Sequence, residues 1–193
     1  MKKNIFSRRL SSFDHFNFRS IFTGSVFLVL VIFTLFQNGD RIVYADTSVG
    51  NVTVGVAPIA LAVNPITNKV YIVNEGSASV TVVDGTNNST ATVSTGLSPR
   101  AIAVNSVTNK IYVANFTDNT VTVIDGANNS TSTVATGTGP IAVSVNPITN
   151  KVYIANSGSS NVTVIDGSNN STVTVLGNGA PTSIAVNPVT NKI

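Results

Sequence analysis

An all-β fold built from repeated small sheets is what this 193-residue chain predicts. Three observations carry that expectation. The sequence repeats with a constant period, each period holds four runs rich in Val, Ile, Thr and Tyr, and those runs are apolar on successive residues instead of alternating ones.

The first element does not belong to the repeat. Eight of the nine Phe residues lie between Phe6 and Phe36, whereas the chain from Asp46 onward is dominated by Val, Thr, Asn, Ser, Ala and Gly. Charge divides at the same place. Residues 1–45 carry Lys2, Lys3, Arg8, Arg9, Arg19 and Arg41 against Asp14 and Asp40, and the remainder carries one more acid than base. The basic character is therefore the leader's, which removes the main support for nucleic acid as a partner. Behind the basic segment, Ile21 to Phe36 (IFTGSVFLVLVIFTLF) is an uncharged apolar run. It is long for a signal-peptide core and short of the roughly 20 residues of a spanning helix, so an export helix is expected and either cleavage or anchoring fits its length. Val43-Tyr44-Ala45 supplies the small side chains a signal peptidase reads, favouring a signal peptide over residues 1–45 with cleavage before Asp46. Positive charge ahead of the apolar run places the repeats outside the cytoplasm, secreted, periplasmic or at the cell surface. The only membrane contact expected is through this segment.

Residues 46–57 come next and contain Asn51 to Val54 (NVTV), which reads as a fourth strand without its first three and as a possible ring-closing strand. The repeats occupy 58–193, as units 58–98, 99–139, 140–180 and a truncated 181–193. Pro58, Pro99, Pro140 and Pro181 mark the starts; Asn64, Asn105, Asn146 and Asn187, then Tyr71, Tyr112 and Tyr153, keep the same spacing. In the first unit the predicted strands are Ile59 to Val63, Val70 to Val73, Val80 to Val83 and Ala91 to Ser94. NPITNK, NEGSAS and DGTNNST connect them. These are too short for helices and are rich in residues that accept positive φ or preset a turn, so each unit is an antiparallel four-stranded meander.

Runs such as VYIV and VTVV need cover on both faces. Small sheets covered on both sides and repeated at this length are the blades of a β-propeller, and sheet twist favours radial packing over a flat stack. About three and a half blades are present, and the chain reads as the N-terminal part of a longer ring. Tyr71-Ile72-Val73-Asn74, Tyr112-Val113-Ala114-Asn115 and Tyr153-Ile154-Ala155-Asn156, with the preceding TNK and the following VTVVDG or VTVIDG, resemble the YVTN-type β-propeller repeat. That resemblance implies a seven-bladed ring, as in YncE-like exported propellers, and no single activity.

An up-and-down meander puts the first and third hairpin loops on one rim and the second loop and interblade link on the other. The first rim is nearly identical from unit to unit. Its Asp84, Asp125 and Asp166 are expected to make Asx turns and to pair with Lys69, Lys110 and Lys151. One carboxylate per loop is too few oxygens for Ca²⁺, so no metal is expected. The opposite rim varies, reading EGSAS, FTDNT and SGSSN, and the links place Arg100, Ile141 and Thr182 at equivalent positions. Glu75, Arg100, Phe116 and Asp118 are accordingly the candidate binding residues. After the leader there is no His or Cys and only one Glu, so no catalytic residue is assigned and no cofactor is called for. The expected function is a non-catalytic recognition or scaffold module for an extracellular protein or glycan. The alternative is a propeller enzyme, lactonase-like or cofactor-associated, with its active residues in further blades.

Overall fold

The computed structural model describes residues 51–193 together with the two-residue strand Ser25–Val26 (β1). The rest of the expected export helix and the expected cleavage point before Asp46 lie outside the described residues. Among the described residues no helix is long and apolar enough to cross a membrane. β1 pairs antiparallel with Val52–Thr53 (β2).

Beyond β2 come three four-stranded antiparallel sheets, each a simple meander in chain order. The first blade is Pro58–Asn64 (β3), Lys69–Asn74 (β4), Ser79–Asp84 (β5) and Thr90–Ser94 (β6). The second is Pro99–Asn105 (β7), Lys110–Asn115 (β8), Thr120–Asp125 (β9) and Thr131–Ala135 (β10). The third is Pro140–Asn146 (β11), Lys151–Asn156 (β12), Asn161–Asp166 (β13) and Thr172–Leu176 (β14). Each predicted strand of the first unit lies inside an observed one. In 181–193 the described pairing is a single bridge, Asn187 to Lys192.

The blades pack as in a propeller. First strands β3, β7 and β11 stand beside one another, and each fourth strand lies farthest out. Between the first two blades, Tyr71, Val73, Val80, Val82 and Val93 of one meet Ile111, Val113 and Ile124 of the next. Between the second and third, Tyr112, Val121, Val123 and Val134 meet Val152, Ile154 and Ile165. The two faces differ. The inner strand offers Ala60 or Ala103 on the face that carries Tyr, and branched Ile102, Val104, Val143 and Val145 on the other, so a bulky ring fits against small side chains and the next blade's branched ones fill the remainder. Burial on successive residues of β4, β8 and β12 results directly from cover on both faces.

Val52 and Val54 occupy the place of a preceding blade's fourth strand. They pack on Val70, Ile72 and Val83 of the first blade, the contact that Val93 makes with Ile111 and Ile124 one boundary later. The inner strand β3 is otherwise uncovered on this side, away from the second blade, and its Ile59, Leu61 and Val63 are half-exposed.

Candidate functional site

The variable rim is built where each second hairpin meets an interblade link. The backbone makes the same clasp in every blade: Glu75 N donates to Ala57 O, Phe116 N to Ser98 O and Ser157 N to Gly139 O, each at 2.9 Å. A side-chain oxygen completes it. Ser77 Oγ accepts from Val56 N at 3.2 Å, Asp118 Oδ2 from Leu97 N at 2.8 Å and Ser159 Oγ from Thr138 N at 2.9 Å. Asp118 thus does in the second blade what serine does in the other two, and its carboxylate is committed to holding the link.

The other three candidate residues converge at the boundary of the first two blades. At Pro99 the β7–β8 ladder slips, so that Pro99 pairs with Asn115 and Ala101 with Ala114, leaving Arg100 as the bulged residue. A bulge re-aims a side chain out of the ladder. The guanidinium lies 3.9 Å from the centre of the Phe116 ring, and its Nε donates to Glu75 Oε1 at 3.3 Å. Both side chains of the ion pair stay about one-third exposed, 37% for Arg100 and 33% for Glu75. The same slip recurs at Pro58 and Pro140, where the bulged residues are Ile59 and Ile141. Among the described residues the cluster consequently occurs at one boundary. Phe116 also reaches the next link, standing 3.3 Å from where a Gly139 methyl would be.

The opposite rim carries the Asx turns expected of its aspartates. Asp84, Asp125 and Asp166 accept through Oδ1 from Thr86 N, Ala127 N and Ser168 N. Hydrogen bonding holds all three carboxyls below the ordinary aspartate range. The largest cause is the Thr86 hydroxyl for Asp84, the Lys110 ammonium for Asp125 and the Lys151 ammonium for Asp166. Two of the three expected ion pairs form, Lys110 to Asp125 at 2.7 Å and Lys151 to Asp166 at 2.5 Å. Lys69 departs from the expectation. Its Nζ crosses the boundary and donates to Gly126 O in the next blade at 2.9 Å, because that carbonyl is offered within reach of the extended side chain.

Sequence reading assigned the recurrent asparagines of this rim to turns alone and missed an interblade contact. Asn64, Asn105 and Asn146 are fully buried, and their Nδ2 groups donate at 2.9 Å to Oδ1 of Asn109, Asn150 and Asn191 in the following unit. The signal was the presence of two asparagines in every hairpin. One of them, at Asn68, Asn109, Asn150 and Asn191, takes the positive φ that a turn needs; the other needed a different explanation.

Compared with known proteins, no family model matches the chain and no curated protein matches it in sequence. Solved structures do resemble it. Hydrazine synthase from Kuenenia stuttgartiensis aligns with 80% of this chain and 43% of its own at 22% identity and a TM-score of 0.65. AztD from Citrobacter koseri aligns with 83% and 45% at 18% identity and a TM-score of 0.60. An auxiliary nutrient binding protein from Bacteroides thetaiotaomicron aligns with 70% and 35% at 18% identity and a TM-score of 0.57. Likeness at these identities is likeness of fold. The chain spans less than half the length of each of these structures.

Proposed function

We propose that this chain is part of an exported propeller of the YVTN type, acting outside the cytoplasm as a non-catalytic module that recognises a partner protein on its variable rim. The observation that carries the reading is the Glu75–Arg100–Phe116 cluster: a guanidinium stacked on an aromatic ring, tied by a carboxylate and still partly exposed. Arg and aromatic side chains dominate the energetics of protein interfaces, and holding them in place beforehand lowers the ordering cost of association. Export rests on the basic leader and the apolar run behind it. Similar folds carry names as different as a synthase and a nutrient binding protein, so the reading rests on the rim and not on the fold.

The test is affinity capture from cell-envelope proteins with the full chain, its Arg100→Ala and Phe116→Ala variants, and Lys151→Ala on the other rim. Partners retained by the parent and by Lys151→Ala but lost from both rim variants are the expected result. Capture that is indifferent to Arg100 and Phe116 would refute the assignment.

A further inference from the structure

The three lysines at the ends of the first hairpins are equivalent in sequence, yet Lys69 acts differently from Lys110 and Lys151. Lys69 bridges the boundary between the first and second blades through Gly126 O. Lys110 turns back to Asp125 Oδ2 in its own blade. Where Lys110 turns back, the boundary between the second and third blades opens into a groove of about 170 Å³ on the near-identical rim. That is far above the roughly 10–15 Å³ that admits one water. Both walls are complete blades, so the groove depends on no further unit.

Its chemistry is mostly polar. Lys110, Asp125, Thr131, Ser132, Ser168 and Asn170 line it, and the one ion pair among them is closed on itself. Beside Val123 and Gly167, what remains is hydroxyl and amide groups that donate and accept, with the Ser168 hydroxyl already donating to Asp166 Oδ1. Across the opening, Asn170 Nδ2 donates to Ser132 Oγ at 3.4 Å, a bond long enough to be given up easily. At the preceding boundary Ala91 and Ala127 stand at the positions of Ser132 and Ser168, so the hydroxyls are missing where the lysine bridges.

We propose that this groove binds one neutral saccharide unit, and that the Lys110–Asp125 pair keeps it open. A sugar ring presents hydroxyls that each donate and accept, which the lining matches in kind. The closed Lys110–Asp125 pair carries no net charge, so the groove offers neither an acidic nor a cationic sugar a free counter-charge. With Asp125 neutralised, Lys110 is free to bridge to Gly167 O as Lys69 does to Gly126 O, closing the groove. The site lies on the rim opposite Arg100, so it stands or falls separately from the recognition reading.

Titrations of the full chain by ligand-observed NMR, with methyl glycosides of neutral hexoses and pentoses beside a hexuronate and a hexosamine, test it. Saturable binding of at least one neutral glycoside, in about the millimolar range, is expected. Asn170→Ala should weaken it about tenfold, in line with loss of a ligand hydrogen bond, and Asp125→Asn should weaken it at least as much. Arg100→Ala should leave it unchanged. Asn170 is half-buried and holds a positive φ of 62°, a backbone that glycine accepts, so Asn170→Gly remains informative if Asn170→Ala or Asp125→Asn proves unstable. No saturable binding below about 50 mM, preference for a charged sugar, or binding insensitive to Asn170→Ala would each overturn the proposal.

Discussion

Asn105 donates from Nδ2 to Oδ1 of Asn150 at 2.9 Å across the boundary of the second and third blades. Its own Oδ1 accepts from Val107 N at 3.1 Å and Thr108 N at 3.3 Å, so one buried amide closes a hairpin and docks the next blade at once. Truncation strands polar groups on both sides of the boundary. Asn105→Ala should therefore cost about 1–3 kcal/mol in denaturant unfolding. A double-mutant cycle with Asn150→Ala should show coupling of at least about 0.5 kcal/mol, and strict additivity would remove the docking role.

The Asp-Gly pair of the third hairpin answers to the same clasp. A methyl at Gly85 would stand 2.6 Å from Asn68 Oδ1, and methyls at Gly126 and Gly167 would crowd Asn109 and Asn150 more closely. Gly126 N also donates to Asn109 O at 2.9 Å, so the backbone cannot simply retreat. Gly126→Ala is expected to displace the very oxygen that accepts from Asn64 and to cost about 1–3 kcal/mol. Thermal unfolding checks this, and an unchanged midpoint would count against the close approach.

Acid should loosen the near-identical rim. Asp125 and Asp166 have lowered folded-state pKa values, first through Lys110 and Lys151. Their contribution is fully present above the unfolded aspartate value of about 3.9 and is lost as pH falls through the lower folded values. Stability should thus drop on acidification below about pH 4, and less steeply in Asp166→Asn. Unfolding midpoints measured across that range decide it.

Alkali acts on different groups. Burial pushes the Tyr71 and Tyr112 phenols up, so stability from keeping them neutral is fully present below about pH 10 and is lost as pH rises through the folded values. Phenolate absorbance of the folded chain should then lag that of the unfolded chain. Tyr112 Oη is buried without a hydrogen-bond partner among the described residues, so Tyr112→Phe should leave stability within about 0.5 kcal/mol or raise it.

Strand positions and doubly buried faces were legible because Val, Ile and Thr runs and turn residues are local signals. The rim assignment came from meander geometry alone, and it was enough to put Glu75, Arg100 and Phe116 on the same side of the ring. The asparagine clasp was not legible, because Asn64 reaches Asn109, one repeat and four residues away, and only blade docking fixes that offset. The structural job of Asp118 was not legible for the opposite reason: its identity varies while that job, shared with Ser77 and Ser159, stays the same. Lys69 and Lys110 cannot be told apart by pattern, since the difference lies in which acceptor each side chain reaches.

Amide hydrogen exchange tests the packing of blade on blade most directly. The second blade has a neighbour on each side, whereas the outer faces of the first and third are partly open. Amides of Lys110–Asn115 and Thr120–Asp125 should exchange more slowly than their counterparts in Lys151–Asn156 and Asn161–Asp166. Equal rates in the corresponding strands of all three sheets would mean that the sheets stand apart, and would contradict the propeller arrangement from which the rims, the clasp and both sites are argued.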